Sequence, residues 1–400
     1  MSRSALPQNY TVNNGLLLED FENTGNWTVS TDCGGTIATD TVRYRTGTQS
    51  IKFTLTNGYV SITKAISTVI NPRIMHLWVY IHTARDTFYQ VEVRLSSAAD
   101  MSKRFYAYFN LANLVEGWNL LTVHRDNWTC VNGESWSNTM IRLKVAVYTA
   151  SGKSLVASLD NLHYNTEKLA RCLIQFDDAR DSAFSEGYTY MNSRGLAGSV
   201  YINSDRIGAS GYMTVDNLTT LYNAGWALSN HTSDHSDLSL LTQAEAEAKI
   251  ADCTNWLIAH GFPRAAKHFA YPLGHYNSST LAAVDATGML TARTSWTGSY
   301  STPVGDLRLT LMKGVWRTTT LAGARAMIDQ ALKLEMTIAL VFHELVASPA
   351  IDTQWTITDF RALIDYIVAC KIPCATIDEW YEGLTNTRYR SLPLSRIGVA

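Results

Sequence analysis

RCLIQFDDARDS, Arg171–Ser182, is a mostly apolar run that stops on two adjacent aspartates, Asp177 and Asp178. Runs of the same kind recur downstream as GSVYI (198–202), WALSN (226–230), HFAYP (268–272), LTART (290–294) and TIALVFH (337–343). Longer stretches with helical periodicity separate them, among them TQAEAEAKIADCTNWLIAHG (242–261) and TDFRALIDYIVAC (358–370). Short apolar strands alternating with helices imply parallel β/α units, and seven or eight in succession suggest a barrel. In such a barrel, chemistry sits where strands end and loops begin. Four of these runs end on residues able to do chemistry: Asp177 and Asp178 on the first, and His231 and His235 after WALSN. The turn Tyr271, Pro272, Leu273, Gly274 follows HFA, and His343 ends TIALVF.

The half of the chain before residue 166 has another rhythm. SIKFTL places Ile51, Phe53 and Leu55 on one face, and HLWVYIH, YQVEVRL and IRLKVAVY repeat the alternation between Gly, Asn, Asp and Thr clusters. This period of two predicts an antiparallel β-sandwich. The reading divides the 400 residues into an N-terminal segment (1–15), a sandwich (16–166), a barrel (167–385) and a C-terminal tail (386–400), with the boundary in HYNTEK, His163–Lys168.

Composition limits the function. Hydrophobic residues make up 46% of the chain, enough for packed cores, and a net charge of -2 supplies no basic surface for nucleic acid or an anionic membrane. No window reaches the length of a membrane-spanning helix, and MSRSALPQNYTVNNG lacks the apolar centre of a secretory signal. The six cysteines are scattered without a CxxC pair and read as buried thiols, with Cys33–Cys130 the one pairing to check. The sequon Asn230-His231-Thr232 overlaps a candidate ligand, which argues against eukaryotic secretion.

Each motif has a bland explanation by itself. Adjacent aspartates often cap a helix, HxxxH occurs in surface loops, and a histidine after an apolar strand is commonly a satisfied rim residue. Their conjunction points elsewhere. Two imidazoles and one carboxylate supply three ligands and leave an open position, as in a catalytic zinc site. A second carboxylate and a distant histidine then remain as base and acid.

FDD, HTSDH, FAYPLG and LVFH, in this order on successive β/α units, resemble the NodB-homology polysaccharide deacetylases, carbohydrate esterase family 4, in a branch with FAYP as its third motif. The resemblance covers roughly residues 167–385 and implies a distorted (β/α) barrel that removes acetyl groups from glycans. It implies a divalent metal, zinc before cobalt, nickel or manganese, on Asp178, His231 and His235, with Asp177 as base and His343 as acid. The turn 271–274 would then supply a backbone donor to the oxyanion. Many members carry an arginine in the third motif that orients the catalytic aspartate. Ala270 stands there in this chain, so Arg293 and Arg308 are the candidates to replace it. Leu273 replaces a tyrosine, and Trp296 and Trp316 are candidates for a substrate wall.

LLLEDFENTGNW and ASLDNLHY resemble the first and last strands of jelly-roll carbohydrate-binding modules. Glu19, Asp20, Glu22 and Asp160 are therefore candidate ligands for a structural calcium. Trp27, Trp118, Trp128 and Trp136 are candidate sugar platforms or core residues. The expected partner is an acetylated extracellular or cell-surface polysaccharide, and a virion component such as a phage tail would meet it without secretion. Two alternatives stay open: a related metal-dependent amidase on a non-polysaccharide substrate, and a glycan-binding structural protein. The oligomeric state is not legible.

Overall fold

The computed structural model describes residues 16–30, 34–72, 74–82, 88–109, 117–165, 170–297, 307–334 and 336–385. Two compact units divide near residue 167. The N-terminal segment, the C-terminal tail and Cys33 lie outside the described residues, and the side chain of Trp296 does too.

The first unit is a β-sandwich of two six-stranded sheets. One runs Gly35–Asp40, Ser50–Leu55, Leu155–Asn165, Ile74–Ile81, Gly117–His124, with Leu16–Glu19 also paired to Leu155–Asn165. The other runs Thr129–Val131, Arg104–Tyr108, Phe88–Ser96, Thr139–Thr149, Tyr59–Val69, Thr28–Val29. Every pairing is antiparallel. The alternation read from SIKFTL is realised: Ile51, Phe53 and Leu55 are buried, while Lys52 and Thr54 turn outward. The inner faces of both sheets meet in one apolar cluster that includes Ile51, Phe53, Val60, Ile62, Val91, Val145 and Leu159.

The tryptophans considered as sugar platforms are mostly core. Trp27 is buried in parallel stacking on Phe21, and Trp118 is buried edge-on to Trp78 and Tyr80. Trp128 is buried against Trp136, which itself lies 3.7 Å from Phe105 in a parallel stack. Burying such large apolar rings gains more than exposing them.

The second unit is a closed barrel of seven parallel strands: β1 (Arg171–Phe176), β2 (Ser199–Ile202), β3 (Ala227–Asn230), β4 (His268–Ala270), β5 (Thr291–Thr297), β6 (Thr310–Gly314) and β7 (Thr337–Phe342). Strands β1, β2, β3, β4 and β7 are buried along nearly their whole length, as expected for strands covered on both faces. β6 has no counterpart among the runs quoted above, because TLMKG mixes polar and apolar residues. The barrel is distorted at its base, where β1 and β2 pair only at Gln175–Ser199 and Phe176–Val200. Below that point Cys374 forms a single parallel bridge with Cys172, so an eighth strand is reduced to one residue.

Helices lock each loop in register. Thr242 and Glu245 form a capping box at the start of Gln243–Ala259, as do Thr214 with Asn217 and Asn277 with Thr280 on two others. Among the described residues, no helix is long and apolar enough to cross a membrane.

Candidate active site at the barrel rim

Asp177 follows the last residue of β1, and its backbone N–H donates to the Phe342 carbonyl of β7 (2.9 Å). It does not cap a helix. Asp178 and Ala179 both take positive φ (69° and 51°), the chain folds back against Tyr212, and helical structure starts at Asp181, past both aspartates. That left-handed turn at Asp178 and Ala179 is uncommon for residues with a Cβ and costs backbone energy, which the pairing around it must offset.

On the β3 loop, His231 is buried and His235 partly exposed. His235 Nε2 lies 3.4 Å and His231 Nε2 3.7 Å from Asp178 Oδ1. One ligand atom from each of the three residues falls within 4.8 Å of the others, and this is the one such group of three among the described residues. His231 Nδ1 donates to the Ala270 carbonyl (2.8 Å), so its Nε2 carries the free lone pair. Burial lowers the His231 pKa against the pull of Asp177 and Asp178 and keeps the imidazole in its neutral, ligating form. The loop is wired to its surroundings. Asn203 Nδ2 donates to the His231 carbonyl, Thr232 N–H to Asn230 Oδ1, and His235 N–H to Thr232 Oγ1. Asn230 Nδ2 in turn donates to Ile250 and Thr254 of the helix beneath.

Of the two candidate arginines, Arg293 is the one that meets Asp177. It sits on β5, opposite Ala270 of β4 in register, and both are buried. Its Nη2 donates to both carboxylate oxygens of Asp177, at 2.5 and 2.7 Å, and its guanidinium lies 4.9 Å from the centre of the Tyr201 ring. Burial works to raise the Asp177 pKa. Arg293 first, then His231 and His343, outweigh it and hold the carboxyl below the ordinary range. Arg308 is turned elsewhere, donating to Asp285 (3.1 Å).

His343 follows β7, with its Nε2 3.8 Å from Asp177 Oδ2. Burial lowers its pKa, against the pull of Asp177 and Asp178. Its buried Nδ1 has no hydrogen-bond partner among the described residues. Trp316 stands beside it, ring centres 5.3 Å apart, and rests where a Cβ at Gly314 would clash at 2.4 Å. In the turn 271–274, Tyr271 donates its hydroxyl to the Arg308 carbonyl (3.1 Å), and Gly274 N–H donates to Tyr271 O. Leu273 takes φ 57° with its side chain on the surface, and its carbonyl accepts from Ser295 Oγ. Gly274 has φ 72°, and a Cβ there would meet Ser295 Oγ at 1.7 Å, so only glycine fits.

The structure thus brings together Asp177, Asp178, His231, His235, His343 and Arg293. It does not gather the four candidate calcium carboxylates. Glu19 accepts from Phe21 N–H and pairs with Lys64; Asp20 accepts from Glu22 N–H. Glu22 and Asp160 instead hold the loop 45–49: Glu22 accepts from Thr48 and Gln49 N–H, Asp160 from Arg45 and Thr46 N–H. Asn203, Asn230 and Tyr201, which support the site, carried no sequence signal beyond their place on short apolar strands.

The sequence of residues 165–292 matches the family model for polysaccharide deacetylases. The match spans β1 to β4 and the start of β5, the part of the barrel that carries Asp177, Asp178, His231 and His235. A Bacillus subtilis (strain 168) protein named as a polysaccharide deacetylase, YxkH, is 27% identical over 133 residues. The match takes in 33% of this chain and 47% of that protein, so the chain spans about half the length of this curated relative. Among solved structures, a family 4 acetyl xylan esterase from Clostridium thermocellum, in complex with a cobalt ion, is 15% identical, with 56% of this chain and 93% of that one covered (TM-score 0.39). A family 11 carbohydrate-binding module from Clostridium thermocellum, in complex with a mixed-linked β-1,3-1,4 tetrasaccharide, is 11% identical over 37% of this chain and 93% of that one (TM-score 0.30).

Proposed function

We propose that the barrel is a metal-dependent hydrolase that removes acetyl groups from an acetylated polysaccharide. The observation that carries this reading is the convergence of Asp178, His231 and His235 within 4.8 Å, beside Asp177 and His343, in a polysaccharide deacetylase domain. The donors fit a divalent ion: two imidazoles and one carboxylate oxygen, with His231 held in the ligating tautomer by Ala270. This set suits zinc first, and cobalt, nickel or manganese after it. When bound, such an ion lowers the pKa of a water from near 16 to about 7 and polarises an acetyl carbonyl.

The chain's own residues then divide the work. Asp177, kept ionised by Arg293, accepts a proton from the attacking water. The Leu273 N–H is the backbone donor for the oxyanion that develops on the acetyl oxygen as water attacks the carbon. His343 delivers a proton to the departing amine or alkoxide. Trp316 walls the pocket beside His343. A missing third-motif arginine would favour the amidase alternative, but Arg293, on the strand next to that of Ala270, meets Asp177. For the first unit we propose a role in holding the polymer, through surfaces other than its buried tryptophans.

Acetate release tests the reading. The full chain should liberate acetate from N-acetylglucosamine oligomers or acetylated xylan, lose that activity on chelation, and regain it with zinc or cobalt. Acetate release unaffected by thorough chelation, or none from any acetylated glycan or aryl acetate, would overturn it.

A further inference from the structure

Two arginines lie on segments tied by backbone hydrogen bonds to those of the proposed metal ligands, and among the described residues neither pairs with a carboxylate. Arg180 is two residues past Asp178, so their Cα atoms are at most about 7.6 Å apart. Its segment is pinned to 211–213: Met213 N–H donates to Ala179 O, Asp181 N–H donates to Gly211 O, and Arg180 and Tyr212 form an antiparallel bridge. The Arg180 guanidinium lies 4.4 Å from the centre of the Tyr212 ring, and that of Arg206 lies 5.9 Å from the same centre. The Arg206 loop is fastened to the metal-ligand loop, because Asp205 N–H donates to Ser233 O (2.9 Å). Among the described residues, neither guanidinium has a salt-bridge or hydrogen-bond partner; the Tyr212 ring is their shared contact.

Two like charges gathered on one ring repel each other, and the ring's face offsets only part of that cost. A bound anion would reverse the balance. Guanidinium forks match carboxylate and phosphate oxygens two at a time. We propose that Arg180, Arg206 and Tyr212 form a subsite for a negatively charged group on a sugar next to the acetylated one, so that the enzyme's substrate is an acidic acetylated glycan. This rests on the deacetylase reading. The anionic group is either a uronate carboxylate or a phosphate ester.

The test uses the metal-loaded full chain and three matched trimers of N-acetylglucosamine: unmodified, oxidised to the carboxylate at one C6, and phosphorylated at one C6. At low salt, KM for at least one charged trimer should be about tenfold below that of the neutral one, the size of a charge-assisted contact. Raising salt from about 0.05 to about 0.5 M should erase most of the difference. Which charged trimer is preferred names the group. R180Q/R206Q should bring all three KM values within about twofold of one another; R206Q alone, at an exposed position, should give part of that effect if the double variant folds poorly. A separate arm measures binding of the charged, deacetylated trimers to the metal-free chain by calorimetry, which should be lost in R180Q/R206Q. Equal KM values at low salt, or binding unchanged in the variants, would overturn the subsite. Inertness toward all three trimers and an aryl acetate would overturn the deacetylase reading instead, and the calorimetric arm would still decide the subsite.

Discussion

At the scale of single residues, the two adjacent aspartates have opposite surroundings and so are expected to fail differently. Asp177 is buried and gripped by Arg293, whereas Asp178 is a fifth exposed and faces two imidazoles. Asp177→Asn should keep the metal and lower kcat by about 10²–10⁴, since an amide cannot accept the proton. Asp178→Asn should instead weaken metal binding. Metal analysis beside acetate release checks both, and equal metal loss in the two variants would reverse the assignment. The candidate ligands were legible as a group because His231, His235 and the aspartates end short apolar runs. The sequence could not choose between Arg293 and Arg308, because that choice depends on strand register: Arg293 lies level with Ala270, while Arg308 meets Asp285.

Elements show where local patterns suffice and where they do not. The helices Gln243–Ala259 and Ile357–Ala369 lie where periodicity placed them, since each carries an apolar stripe and a threonine N-cap. The eighth strand was not legible, because a one-residue bridge at Cys374 leaves no pattern. Strand β4 carries a pH dependence of its own. His268 is buried beside Thr291, and burial lowers its pKa from the usual 6.5 to about 4. The unfolded chain therefore binds a proton that the folded chain refuses. Stability from this group is full above about pH 6.5 and is lost as pH falls towards 4, by about 2–3 kcal/mol. His268→Gln should lose less: thermal unfolding of the full chain at a series of pH values should show the variant gaining several degrees on the wild type between pH 7 and 4. A constant difference across that range would show that His268 does not titrate as its burial implies.

For the whole molecule, a change of hydrophobic period from two to mixed β/α near residue 166 was enough to read a sandwich and a barrel, because each layer type needs its own pattern to bury a core. What the first unit does was less legible. Its tryptophans satisfy the same apolar signal whether they stack on sugar or fill the core: Trp27 and Trp128 belong to the core cluster, Trp136 packs against it half-buried, and Trp118 is buried outside it. The central claim is that one divalent ion on Asp178, His231 and His235 makes the barrel a deacetylase. It is tested most directly by titrating zinc into the stripped full chain while acetate release is followed. The account predicts that activity rises linearly and stops at one equivalent per chain, and that His231→Ala and His235→Ala neither retain the ion nor gain activity. Turnover by the stripped chain, or variants that hold one equivalent and work at the wild-type rate, would contradict it.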